Sequence, residues 1–97
     1  MTLYSPDEVK DLVGACVLHS VCSTLEENEI EFVLCDPEGK EVAVSDKVLD
    51  SMNHCTMSID VGGEVWGVLR YSLEADLDFV AGVVLMAQAV LSKAWGV

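Results

Sequence analysis

Cys55-Thr56-Met57-Ser58-Ile59-Asp60-Val61-Gly62-Gly63-Glu64-Val65-Trp66-Gly67-Val68-Leu69-Arg70-Tyr71 is the stretch that decides the fold class. Two runs rich in β-branched and aromatic residues, 55–61 and 64–71, flank a pair of glycines, and two adjacent glycines tolerate the positive φ angles of a two-residue hairpin loop. The stretch predicts a β-hairpin.

Upstream, Ile30-Glu31-Phe32-Val33-Leu34-Cys35 alternates as a strand with Ile30, Phe32 and Leu34 inward, and Asp36-Pro37-Glu38-Gly39-Lys40 supplies the turn residues before a returning strand, 41–45. This is a second hairpin. Between the two, Ser45-Asp46-Lys47-Val48-Leu49-Asp50-Ser51-Met52 predicts a short capped helical turn.

Helices bracket the hairpins. Ser5-Pro6-Asp7-Glu8 carries a hydroxyl N-cap, proline at the first helical position and acids in the first turn, and Val9, Leu12, Val13, Cys16, Val17 and Val21 then recur at helical spacing. The acidic run Glu26-Glu27-Asn28-Glu29 ends that helix. At the other end Ser72 is the expected cap of a last helix, with Glu74, Asp76 and Asp78 favourable near its N-terminus. The order helix, hairpin, connector, hairpin, helix predicts an α+β fold: a four-stranded antiparallel sheet of two hairpins packed with an N-terminal and a C-terminal helix, as one domain over residues 1–97.

Charge avoids the helices. The 17 acidic and 5 basic residues leave Leu12–Leu25 and Phe79–Ser92 without a charge, so each helix needs cover on more than one side. In a chain of 97 residues the sheet covers one side, and a second copy is the simplest cover for the other. On the last helix Leu77, Val80, Val84, Ala87 and Leu91 form one stripe, Phe79, Val83, Met86 and Val90 another, and the arc through Ala81, Gly82, Leu85, Gln88, Ala89 and Ser92 is small enough for close helix approach. Val83, Met86, Ala89 and Val90 are the expected homodimer contacts.

A net charge of -12 opposes direct nucleic-acid binding, which needs Lys and Arg to displace counterions. It fits a basic protein partner, imitation of a nucleic-acid surface, or solubility. The carboxylates Asp36, Glu38, Glu41, Asp60 and Glu64 at the hairpin ends are the expected contacts for a protein with a basic surface. Met1–Glu8 lacks the basic start and apolar core of a signal peptide, and the run 79–91 is shorter than the roughly 20 residues of a bilayer span. A cytoplasmic chain, not membrane-bound and with four reduced thiols, is expected.

Met57–Leu69, followed by Leu73-Glu74-Ala75-Asp76-Leu77-Asp78-Phe79 and Ala87-Gln88-Ala89-Val90, resembles the closing part of a GAF domain, in which a Gly-Val-Leu strand leads into an acidic helix start and a long C-terminal helix. Phe32–Gly39 resembles that family's early strands around an Asp-x-x-Gly turn. The resemblance implies a shortened GAF/profilin-like fold. The GAF segment between the hairpins closes over a small ligand, whereas only 45–54 occupies that place here, which leaves little lid for a cyclic nucleotide or tetrapyrrole. So shortened, the chain also resembles the roadblock family of small dimeric scaffolds.

Reactive residues are few. Cys16 and Cys22 diverge by about 120° around a helix, too far for a local chelate with His19, so no metal and no cofactor is expected. His54-Cys55 invites a thiol-dependent GAF-fold enzyme, but neighbours on an extended strand point to opposite faces. The reading is a small acidic regulatory or scaffold module, not an enzyme, that homodimerises and binds a protein partner in signalling. A phage-type acidic inhibitor that mimics nucleic acid is the alternative of a different class. Its carboxylates would need one continuous surface at phosphate-like spacing.

Overall fold

A computed structural model describes residues 6–50 and 52–96, with side chains from Lys10 onward. The elements are α1 (Pro6–Glu27), β1 (Phe32–Cys35), β2 (Glu41–Val44), β3 (His54–Val61), β4 (Glu64–Ser72) and α2 (Leu77–Trp95). The chain is α+β, as expected. The cap expected of Ser5 lies outside the described residues.

Both hairpins form, and the strand order β2-β1-β4-β3 places the second strand of the second hairpin beside β1. Phe32 pairs with Tyr71 and Leu34 with Leu69, all antiparallel. Gly62 and Gly63 both take positive φ, 58° and 84°, as the two-residue loop requires. Alternation then sorts the strands: Phe32, Leu34, Ile59, Val61, Leu69 and Tyr71 face both helices, and Val33, Val44, Thr56, Ser58, Val68 and Arg70 face the other way. The core is completed by Val17, Val21 and Leu25 of α1 and Val80, Val83, Val84, Ala87 and Leu91 of α2.

The end of α1 is a Schellman motif. Ile30 N–H donates to the Leu25 carbonyl at 3.0 Å and Glu29 N–H to that of Glu26 at 3.0 Å, with Glu29 in the left-handed region at φ 57°. Leu25 and Ile30, the two residues whose contact seals such a motif, are both buried.

Two expectations about the other helix ends are corrected. Residues 45–53 hold no helical turn among those described, because Ser45 is used elsewhere: its hydroxyl accepts the Phe32 N–H at 3.0 Å and donates to the Lys47 carbonyl at 2.6 Å. It extends the β1–β2 ladder instead of capping. Ser72 likewise caps no helix, since it closes β4 and accepts the Glu74 N–H at 3.2 Å in a turn. Asp76 is the cap of α2, accepting from Asp78 N–H at 3.0 Å and Phe79 N–H at 3.3 Å. Gly96, at φ 73°, closes the far end.

Candidate functional site

The register brings the two hairpin tips to one end of the sheet, because β1 runs antiparallel to β4 and leaves its last pair, Cys35 with Val68, in the direction of the start of β4. Asp36, Glu38, Glu41, Asp60 and Glu64 therefore share that end. Their side chains differ in what they have left to offer. Asp36 is half-buried, and one of its carboxylate oxygens accepts the N–H of Lys40 at 2.8 Å and of Glu38 at 3.0 Å, so it organises the turn. The Asp60 carboxylate accepts from Ser58 at 3.2 Å. Glu38, Glu41 and Glu64 are exposed.

Both hairpins bulge at this end. Val42 is skipped in the β1–β2 register and Trp66 in the β3–β4 register, which turns these side chains out of the regular alternation. Trp66 reaches α1, where its indole nitrogen lies 3.8 Å from where a Cβ on Gly14 would stand. It is a core anchor. Trp95, on α2, has a buried Nε1 without a hydrogen-bond partner among the described residues, and its ring lies 5.9 Å from the Lys10 ammonium.

The opposite end of the sheet gathers acids that are scattered in sequence. Glu29 and Glu31 precede β1, Glu74 and Asp76 follow β4, and together they line a recess of about 380 Å³. Asp46 and Asp50 stand on the connector at the same end. Hydrogen bonds from the Met52 N–H, then from Asn53, hold the Asp50 carboxyl below its usual range. This grouping was not legible from spacing, because it depends on strand order. Carboxylates of the described residues therefore stand at both ends of the sheet.

Of the expected homodimer contacts, Met86, Ala89 and Val90 are exposed on α2, whereas Val83 is 6 % exposed and belongs to the chain's own core. The outward stripe is instead Gly82, Leu85, Met86, Ala89 and Val90, at helical spacing and without charge. Leu85 is 63 % exposed. By length and composition the 19-residue α2, at a mean hydropathy of 1.6, reaches what a membrane span needs, but its opposite stripe is packed on α1 and the sheet.

Cys16 is exposed and Cys22 half-buried on α1, Cys35 is buried at the end of β1, and Cys55 is half-buried on β3. Burial, then the neighbouring Glu26, pushes the Cys22 thiol pKa up, away from the nucleophilic thiolate. His54 pairs with Ser72 on the outer face and Cys55 with Tyr71 on the helix side, so the two side chains diverge. Among the described residues no three His, Cys, Asp or Glu side chains converge as a metal-ligand set. No family model, curated protein or solved structure matches the chain.

Proposed function

We propose that the chain is a small non-catalytic regulatory or scaffold module, one that homodimerises through α2 and engages a protein partner with a basic surface. One observation carries the reading. The outward stripe of α2, from Gly82 to Val90, is apolar and uncovered while its opposite stripe is already spent on the core. Such a patch is costly to leave in water and is the kind of surface that proteins use for association. A second copy presents the same stripe, with small residues at Gly82 and Ala89 that let two helices approach closely.

The acidic hairpin ends support the partner half of the proposal, since exposed carboxylates steer a basic surface into encounter. The shortened GAF-like and roadblock-like resemblances agree with a scaffold rather than a reaction. Light scattering on the full chain tests the first half directly: a dimer at micromolar concentration is expected, and a compact monomer overturns the proposal.

A further inference from the structure

The connector joins opposite edges of the sheet, β2 and β3, and its described residues Ser45, Lys47, Val48 and Leu49 lie against the sheet. In doing so it walls a crevice of about 280 Å³ against the face turned away from the helices. Val44, Val33 and Arg70 are successive register partners across β2, β1 and β4 and form its floor in a row. Half-buried Leu49 forms a wall, and Val48, 90 % exposed, stands at the mouth.

The electrostatics of this crevice run against the rest of the molecule. Lys47 and Arg70, two of only 5 Lys and Arg residues in the chain, line it together with His54, and Glu41 is the one carboxylate among the lining residues. Arg70 is half-buried and takes part in no ion pair among the described residues. A guanidinium offers five N–H donors in a planar fork that matches a carboxylate, and those of Arg70 are open to a ligand that enters the crevice. His54 is held in place from behind, where its Nδ1–H donates to the Asp50 carbonyl at 3.3 Å. The volume lies just under the about 300–1,000 Å³ of drug-sized pockets, which sets a small ligand.

We propose that this crevice binds a small amphiphilic carboxylate, its head paired with Arg70 and Lys47 and its hydrocarbon body against Val33, Val44 and Leu49. A single fork with one flanking ammonium suits a planar monoanion. The binding face is opposite the helices, so ligand binding and dimerisation are separate properties and fail separately.

The test is a titration of the full chain followed by backbone amide NMR shifts, with octanoate as probe and octanol and octylammonium as controls. Octanoate is expected to give saturable shifts centred on Val33, Val44, Lys47, Leu49, His54 and Arg70, and to bind more tightly than either control. Arg70→Gln should weaken octanoate by about tenfold or more, the scale of one lost charge-assisted pair, and leave octanol unchanged. Arg70→Lys should recover part of the loss. No saturation, equal binding of octanol, shifts centred on α2, or indifference to Arg70→Gln would each overturn the proposal. Should Arg70→Gln not fold, Lys47→Gln at an exposed position takes its place: weakened octanoate binding supports the carboxylate site, and unchanged binding overturns it.

Discussion

The side-chain carbonyl of Gln88 on α2 accepts the backbone N–H of Asp60 on β3 at 3.2 Å. β3 is an edge strand, and Asp60 sits at the register shift where its ladder is interrupted. An unpaired edge donor is an invitation to further strand pairing, and here a helix side chain occupies it. That explains the one polar residue in the otherwise apolar run 79–91 of α2. It also leaves the outward stripe of α2, rather than this part of the β3 edge, as the surface open for association.

Position along α2 should separate loss of assembly from loss of folding. Ala89→Asp places a charge on the exposed stripe and is expected to yield a folded monomer, with a thermal midpoint close to that of the parent when both are monomeric. Val83→Asp puts a carboxylate into the core and should unfold the chain, because an unpaired buried charge costs several kcal/mol. Light scattering and circular dichroism read the two outcomes independently. A dimer that survives Ala89→Asp would move the interface elsewhere.

Glu29 holds a left-handed conformation that costs a non-glycine residue about 1–2 kcal/mol. Glu29→Gly keeps both Schellman hydrogen bonds and the Leu25–Ile30 contact, and also removes one charge from an acidic cluster. Stability should rise by roughly 1 kcal/mol, measured by urea denaturation. A loss of stability would show that the Glu29 side chain contributes something the geometry does not reveal.

Gly67 is fixed by its neighbour. A Cβ there would stand 3.1 Å from the Cys35 carbonyl oxygen, a backbone atom held in the β1–β4 ladder. Gly67→Ala is therefore expected to destabilise by about 1–3 kcal/mol, read from the denaturant midpoint at constant slope.

The Asp36 carboxylate organises its turn and those of Glu38 and Glu41 are exposed, so substitution should divide them. Asp36→Ala removes the acceptor of two turn N–H groups and should cost about 1–2 kcal/mol in an unfolding titration. Glu38→Lys with Glu41→Lys should leave stability within about 0.5 kcal/mol and slow association with a basic partner. That association should also weaken as salt rises from about 0.05 M to about 0.5 M, by screening. Salt-indifferent binding would assign recognition to the apolar stripe.

Burial, then the nearby Cys55, pushes the Tyr71 pKa above its ordinary value of 10.0, and burial, then Glu26, raises that of Cys22 above 9.0. Each group then holds its proton more tightly folded than unfolded. The stability this contributes is whole below the unfolded values and is lost as pH rises through them toward the folded ones. Denaturation midpoints should fall from about pH 9 upward, and Tyr71→Phe should flatten the part above about pH 10. Thiol alkylation near pH 8 should modify exposed Cys16 before Cys22, and buried Cys35 only on unfolding.

Hairpins and helices were readable because their signals are local: Gly62-Gly63 demands a particular turn, and the spacing of Val17, Val21 and Leu25 demands a helix face. Ser72 misled because a hydroxyl ahead of acids serves a turn as well as a cap, and Asp76 competes for the same role four residues later. Ser45 misled for a related reason, its hydroxyl being taken up by the backbone of Phe32. Val83 reads from periodicity as an interface residue and is core in the fold, since the run 79–91, apolar all round, offers no contrast between its faces. The acidic recess and the Arg70 crevice depend on β4 lying beside β1, and strand order leaves no local mark.

The connector also sets the order in which the molecule can be completed. β1 needs β4 on its second side, and β4 is made only after the connector and β3. A chain emerging from synthesis therefore carries Phe32 and Leu34 without Leu69 and Tyr71 to meet them, and long-range pairing of this kind closes slowly. The lid of the core comes last, in Val80, Val84, Ala87 and Leu91 of α2. A nascent chain halted before α2 has all four strands but leaves the apolar sheet face open where α2 would cover it, the kind of exposed surface that chaperones bind.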